Sequence, residues 1–402
     1  MPVSRRGFFD VITAGRTGQL SDDFIAAHGH EEEYVAEPTD QRGGGAPPAA
    51  PPGGKEIRIN LNENPRGPGK AAIAAMLGQL REVGRYPFNS TPLDADLEIL
   101  IAKVNGGKRE NVLIGSGSQE PLSSVPRVFC SPTKPLIQGL PTFGACTGMA
   151  RKLGAEVKTV LVDKDLKLDL KGIAALAPGA GIVYLCNPNN PTGTIATGQQ
   201  VADFIAEVRK SAPTAGIVID EAYADYPTDP SFKSAISIAL TTPNVVVGRT
   251  FSKAFGMAGS RIGYCMGTAE TIKQLARYKM PYGVNTLVIA GAIASLKDTA
   301  HLKEEVRLNA EARNFTIKAL ADLGYKCTDS HTNFIFINVG KTMLPKEFNA
   351  GCAKQGVRIG GGYPPLDKEW CRCTIGTMEE MQKTVEVMRN VLRSVTTAGQ
   401  QQ

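Results

Sequence analysis

Residues 250–261 read T-F-S-K-A-F-G-M-A-G-S-R. The string sets one lysine, Lys253, among the hydroxyls of Thr250 and Ser252, with the guanidinium of Arg261 eight residues further on. A lysine amine condenses with an aldehyde to a Schiff base, and hydroxyls with an arginine suit a phosphate dianion. One cofactor carries both groups: pyridoxal 5′-phosphate. A Ser-Lys pair alone is commonly a solvated surface feature, so the string takes its meaning from what surrounds it.

Four segments upstream end short apolar runs with groups this cofactor needs. I-G-S-G-S-Q-E (114–120) is a strand running into a Gly/Ser turn and a helix, where the backbone amides of Gly117, Ser118 and Gln119 would cradle a phosphate. P-T-F-G (141–144) offers Phe143 to a pyridine ring, or simply as an aromatic plug in the core. C-N-P-N-N-P-T-G (186–193) offers Asn190 as a donor to a phenolate oxygen and makes the 190–191 bond a candidate cis peptide, unless the segment is only a tight turn. V-I-D-E-A-Y (218–223) ends a strand on Asp220, either a helix cap or the partner of a protonated pyridine nitrogen, with Tyr223 in reach of the same phenolate. Their order along the chain, each after a strand, turns weak signals into a strong one.

The apolar runs define the fold class. Runs at 111–114, 135–138, 156–162, 181–186, 216–219, 244–247 and 263–266 read as strands, several separated by helical periodicity as at 198–210. Helices are expected at 70–82 and 93–105. Buried strands alternating with helices predict an α/β fold with a mainly parallel sheet covered on both faces, ligands gathering beyond the carboxyl ends of its strands. After residue 287 a long helical stretch (290–323), strands at 334–339 and 371–375 and a closing helix (378–395) predict a smaller α+β domain. The domain reading is 1–54 as signal-like segment and linker, 55–85 as an arm joining the small domain, 86–288 as the large cofactor-binding domain and 289–402 as the small domain.

Composition sets limits. The chain has 402 residues, 42% apolar and 21% charged, which is ordinary for a soluble globular protein with ample core. A net charge of +6 comes from dispersed basic residues, so electrostatics give no reason to expect nucleic acid. No stretch approaches the roughly 20 apolar residues of a membrane span. The eight cysteines show no C-x-x-C pair and no histidine at ligand spacing; Cys371 and Cys373, two apart, read as small buried residues on one strand face. No metal is expected. S-R-R-G-F-F (4–9) resembles a twin-arginine export motif, but only V-I-T-A-G separates Asp10 from Arg16, so the expected location is the cytoplasm. The Gly/Pro tract at 41–54 reads as a linker.

With these motifs the chain resembles the fold-type I pyridoxal-phosphate enzymes, and within them the class I/II aminotransferases related to histidinol-phosphate aminotransferase. The resemblance runs from about residue 57 to 395 and is most specific in L-N-E-N-P (61–65), R-Y-P (85–87), N-P-N-N-P-T-G (187–193), D-E-A-Y (220–223), S-K-A-F (252–255) and R-C-T-I-G-T (372–377). It implies an aminotransferase working on an amino donor and a 2-oxo acid such as 2-oxoglutarate. Lys253 would hold the cofactor and shuttle the proton, Asp220 would pair the pyridinium, and Asn190 and Tyr223 would bind the ring oxygen. Thr250, Ser252, Arg261 and Gly117 to Gln119 would hold the phosphate, with Phe143 stacked on the ring. Tyr86 and Tyr282 would act across a homodimer interface, and Arg372 and Asn64 would contact substrate. A decarboxylase or oxidase on the same scaffold is the alternative reading. One departure matters: Gly360 or Gly361 stands where these enzymes usually carry an arginine for the substrate phosphate, leaving Arg358 as the nearest candidate. Arg66 stands where a tyrosine is common. An apolar, aromatic or basic substrate side chain fits that glycine-rich wall at least as well as histidinol phosphate.

Overall fold

A computed structural model of the chain describes residues 56–86 and 93–398. The arginine pair near the start, the Gly/Pro tract and the expected boundary at 54 lie outside the described residues. The arm entering the fold carries strand β1 (Ile57–Ile59) and helix α1 (Lys70–Gly78), followed by a single 3-10 turn (Leu80–Glu82) and, further on, α2 (Leu93–Val104). The helix expected over 70–82 therefore ends four residues early, at Gly78, whose conformational freedom makes it a poor helix residue.

Strands and helices then alternate: β2 (Val112–Gly115), α3 (Gln119–Phe129), β3 (Leu136–Leu140), α4 (Thr147–Lys152), β4 (Val157–Leu161), α5 (Leu170–Ala175), β5 (Ile182–Cys186), α6 (Gly198–Ser211), β6 (Gly216–Asp220), α7 (Ile236–Ala239), β7 (Val245–Thr250), β8 (Gly263–Met266) and α8 (Ala269–Ala276). The seven strands β2 to β8 form one sheet in the order β2-β8-β7-β6-β5-β3-β4, parallel except for β8, which is antiparallel to both neighbours. The exception follows from the short link after β7, which lacks the crossover helix that parallel pairing demands. Strands β5 and β6 are buried at every position, as their continuous apolar runs require when both faces are covered. Edge strand β4 has no buried position, and Lys158, Thr159 and Leu161 on it are exposed. Helix α6 shows how the cover is laid: Val201, Phe204, Ile205 and Val208 recur at helical spacing and are buried. Its start is fixed by a capping box, in which Gln200 N–H donates to the Thr197 hydroxyl (3.2 Å) and Thr197 N–H to the Gln200 side-chain oxygen (2.8 Å).

Beyond the sheet come α9 (Thr286–Lys297), α10 (Thr299–Asp322), β9 (Phe334–Asn338), α11 (Pro345–Lys354), β10 (Val357–Ile359), β11 (Trp370–Thr374) and α12 (Met378–Ala398). The helical stretch expected over 290–323 is two helices. Asp298 divides them, its carboxylate accepting from His301 N–H at 3.0 Å and capping the second. Strand β11 pairs antiparallel with β9, and β1 runs parallel to β10. The two three-residue strands were not expected, because such short elements carry no readable periodicity. A second core gathers here: Ile59 of the arm packs with Ile335, Ile337, Phe348, Cys371, Cys373 and Met388. Alternation along β11 sends Cys371 and Cys373 into this core and turns Arg372, between them, the other way. Among the described residues no helix is long and apolar enough to cross a membrane.

The arm is pinned where the two cores meet. Buried Glu305 of α10 accepts from Arg66 Nε at 2.6 Å and from Asn64 Nδ2 at 2.8 Å, and the same Asn64 nitrogen reaches the Ala254 carbonyl at 3.2 Å. Replacing Glu305 by Ala leaves both donors without their acceptor. We expect Glu305→Ala to cost on the order of 1–3 kcal/mol, measured as a lowered denaturation midpoint, and Glu305→Gln, which keeps an acceptor for Asn64, to cost less. Equal midpoints for all three proteins would show that the clamp does not hold the arm.

Candidate active site

The C-terminal ends of β2, β3, β5, β6 and β7 open on one side of the sheet, and the chemical groups stand in the turns that follow them. Lys253 lies three residues beyond β7. Its amine donates to the Asn62 carbonyl at 3.0 Å and to that of Leu61 at 3.5 Å, and stands 5.5 Å from the centre of the Tyr223 ring. Burial, with the guanidiniums of Arg372 and Arg261, pulls its ammonium down to about 7, against the opposing pull of Glu63 and Asp220. A lysine in this state is part neutral near pH 7, as a nucleophilic amine must be.

Asp220 ends β6 with 1% of its surface exposed. Burial pushes its carboxyl up to about 6, while hydrogen bonds from Tyr184 and Ala222 hold it down. The Tyr184 hydroxyl donates to Oδ2 at 2.8 Å and Ala222 N–H to Oδ1 at 3.2 Å. Tyr223 stands three residues on, its hydroxyl accepting from Asn62 Nδ2 at 2.9 Å and from Asn190 Nδ2 at 3.5 Å. The Asn190–Pro191 bond is cis. Phe143, in the loop after β3, keeps 46% of its surface open.

A cradle forms where the turn after β2 meets the residues after β7. The Thr250 hydroxyl donates to Ser252 Oγ at 2.9 Å, and Arg261 Nη1 donates to Ser252 Oγ at 3.4 Å and to the Ala258 carbonyl at 2.9 Å. Gly117 has φ +68°, and a Cβ there would lie 2.4 Å from Arg261 Nη2, so only glycine lets the guanidinium come this close. A Cβ on Gly263 would likewise meet Ser118 N at 2.3 Å. One guanidinium, two hydroxyls and the first amides of an eleven-residue helix thus converge, a donor set that matches a phosphate dianion. With an amine for an aldehyde and a carboxylate for a ring nitrogen beside it, the residues fit pyridoxal 5′-phosphate.

Arg372 is 7% exposed, yet no carboxylate of the described residues pairs with it. Nη1 donates to Asn190 Oδ1 at 2.7 Å, Nη2 to the Asn60 carbonyl at 2.8 Å, and Nε is buried without a partner. The guanidinium is flanked by Phe334 (5.6 Å) and Tyr363 (5.2 Å). The other residues named for substrate are placed differently. Asn64 spends its amide on Glu305 and Ala254. Arg358 is tied to Glu56, Nε at 3.0 Å and Nη2 at 2.8 Å, outside the network around Lys253 and Arg372. Gly360 and Gly361 lie against the Arg372 backbone, and a side chain at 361 would meet open space. Tyr86 and Tyr282 pack on each other within one chain, ring centres 5.0 Å apart, and both are more than half exposed.

Three participants escaped the sequence. Asn62 has φ 55° and joins Lys253, Tyr223 and Thr374, whose hydroxyl donates to its side-chain oxygen at 3.0 Å. Tyr363 caps Arg372. Tyr184 was hidden in the run I-V-Y-L-C, where a lone hydroxyl in a strand dry on both faces is itself a signal that a buried partner exists.

The family model for aminotransferase class I and II matches residues 55–388, and the chain belongs to that family. Histidinol-phosphate aminotransferase of Moorella thermoacetica is 31% identical over 338 residues, covering 84% of this chain and 85% of its own. Histidinol-phosphate aminotransferase 2 of Ralstonia nicotianae is 33% identical over 348 residues, covering 85% and 90%. The solved structure of histidinol-phosphate aminotransferase from Sinorhizobium meliloti in complex with pyridoxal-5′-phosphate superposes with a TM-score of 0.78 at 28% identity, over 85% of this chain and 91% of that one. The fold is the type I fold of pyridoxal-phosphate enzymes, the cofactor is pyridoxal 5′-phosphate, and the protein is a PLP-dependent aminotransferase.

The lysine makes a testable demand on the cofactor-free protein. Its folded pKa of about 7 lies below the unfolded value of about 10.4, so the unfolded state binds more protons between these pH values and stability rises with pH across that window. Below pH 7 the charged amine is a full burden on the fold. Lys253→Met removes it, so the apoprotein variant should melt above wild type at pH 6 and lose that lead by pH 10. A melting difference that does not change with pH would contradict the depressed lysine.

Proposed function

We propose that this enzyme moves an amino group between an α-amino acid with an apolar or aromatic side chain and a 2-oxo acid such as 2-oxoglutarate, as a homodimer in the cytoplasm. The observation that carries the substrate class is Arg372, a buried guanidinium with no carboxylate partner and an unpartnered Nε, beside the Lys253 amine. Bidentate geometry makes arginine the natural receiver of an α-carboxylate. Open space at Gly361, the Tyr363 ring and the commitment of Arg358 to Glu56 favour an uncharged side chain over a phosphate.

In this reading Thr250, Ser252, Arg261 and the amides of Gly117, Ser118 and Gln119 hold the cofactor phosphate. Phe143 lies against the ring, Asn190 and Tyr223 donate to its phenolate oxygen, and Asp220 accepts from its protonated nitrogen. When bound, pyridoxal phosphate supplies an electron-withdrawing ring that stabilises the charge left as the substrate α-carbon loses a proton. Lys253 would take that proton and hand it to the carbon on the far side of the same nitrogen, a task suited to an amine poised near neutrality. Arg372 fixes the carboxylate and so decides which bond at the α-carbon stands across the ring plane. Tyr223, held by Asn62, keeps its hydroxyl proton because burial raises its pKa.

The dimer reading rests on an exposed apolar strip. Leu77, Leu80 and Val83 lead to Tyr86, whose ring meets Tyr282 next to exposed Met280. In the dimer these two tyrosines would reach the neighbouring site. The second substrate reading is histidinol phosphate. Relatives of that name support it, and Tyr282 would help bind the phosphate.

Two substitutions test the roles. Lys253→Ala should lower kcat by about 10²–10⁴-fold or more while cofactor is still taken up through the phosphate cradle; substantial residual transamination would sink the assignment. Arg372→Ala should raise KM for carboxylate donors roughly ten- to a hundred-fold and move KM for histidinol phosphate, which has no carboxylate, very little. Equal effects would make Arg372 structural. The donor itself is found by following the cofactor spectrum against amino acids and histidinol phosphate, with 2-oxo acid formed and neither CO₂ nor peroxide released.

A further inference from the structure

Tyr184 has no part in the chemistry above, yet among the described residues it makes the only side-chain hydrogen bond to the Asp220 carboxylate. The register of β5 and β6 explains the contact. Cys186 lies opposite Asp220 and Tyr184 opposite Val218, so Tyr184 is one same-face step from the carboxylate, within reach of a long side chain across the diagonal. Its ring is fully buried, and the hydroxyl reaches Oδ2 at 2.8 Å while Oδ1 takes the longer bond from Ala222 N–H. The direction of the bond is fixed. Burial and the adjacent carboxylate hold the phenol well above its ordinary pKa, so it donates at any working pH. The other titratable groups facing Asp220 are Cys146 at the start of α4, Cys186 on β5, Glu221 next in the chain and Lys253 beyond β7; burial pushes both thiols up, so they stay neutral.

We propose that Tyr184 is a positioning residue for the cofactor ring: by donating to one oxygen of Asp220 it keeps that carboxylate ionised and leaves the other oxygen to accept from the ring nitrogen. The inference rests on Asp220 being the ring-nitrogen partner. A phenylalanine would fill the same space, so the hydroxyl is what the site adds. Without it the carboxylate becomes more basic and draws the ring proton toward itself. The ring then withdraws electrons less strongly, and the nitrogen joined to Lys253 holds its own proton to higher pH.

The test uses the full chain. Apoprotein is titrated with pyridoxal 5′-phosphate to give a dissociation constant, and the loaded protein is titrated with base to give the pH midpoint of its absorbance change. Tyr184→Phe should weaken cofactor binding about tenfold or more and move the midpoint up. 3,5-Difluorotyrosine placed at position 184 alone, the same shape with a stronger donor, should move it down. In an Asp220→Asn background, Tyr184→Phe should add little to either quantity. An unmoved midpoint in both single variants, or an equal loss of affinity in the Asp220→Asn background, would overturn the proposal. If Tyr184→Phe does not fold, the fluorotyrosine protein decides alone, and an unmoved midpoint there overturns the proposal. A wild-type chain that binds no pyridoxal phosphate would instead bring down the cofactor reading itself.

Discussion

Burying a carboxylate in a strand that is dry on both faces is the constraint around which this molecule is arranged. Asp220 closes β6 among same-face neighbours that, Tyr184 apart, are apolar or neutral thiols, and it is almost wholly shut off from solvent. A bare charge there would take up a proton instead of remaining ionised. The backbone answers with the Ala222 amide and the next strand with Tyr184, but neither carries charge. What remains is a demand for a cation at the open end of the strand. Lys253 stands under the mirror-image stress, a cation that burial and two guanidiniums push toward neutrality. Two opposite discomforts at the mouth of one cleft are what a ligand with a basic ring nitrogen and an aldehyde relieves.

The second requirement is that the mouth be closed by chain from elsewhere. No residue of the seven-stranded sheet can hold the free Lys253 amine at hydrogen-bonding distance in this structure; Asn62 and Leu61 of the arm do so through their carbonyls. The arm is held in turn by Glu305 on one side and by Thr374 and Asn333 on the other. Arg372 extends the seam by joining Asn60 to Asn190. The cleft thus lies between two hydrophobic cores, bridged by polar bonds and by one small apolar cluster in which Tyr223, Tyr226 and Ala254 meet Phe334. Such a seam is easier to open than either core is to unfold, which suits a site that must admit one substrate and release another.

Much of this was written locally in the sequence. The sheet strands and the groups in the turns after them are neighbours along the chain, so an apolar run followed by G-S-G-S or D-E-A-Y announces both element and chemistry. What stayed hidden depends on register between distant segments. Asn62 meets Tyr223 across 161 positions, and Arg358 meets Glu56 across 302. Arg358 could be offered as the arginine nearest to Gly360 and Gly361, but nothing local in the sequence announces that a glutamate of the arm lies alongside it. The bond from Asn64 to Glu305 was hidden for the same reason, since its acceptor lies on a helix far down the chain. Tyr184 differs: its partner was one strand away, and a hydroxyl inside a wholly apolar run already asked for one.

The parallel pairing of β1 with β10 has a consequence for how the protein is made. The arm leaves the ribosome ahead of the large sheet, yet the strand it must lie beside is 302 positions behind it at the Glu56–Arg358 bond. The sheet with Lys253 and Asp220 can assemble while the arm still waits, because domains fold as units in order of synthesis. The acceptors that seat the lysine arrive only when nearly the whole polypeptide has emerged. The first-made part of the site is the last to be installed, and a chain cut short near its end would carry a correct sheet beneath an unfinished cleft.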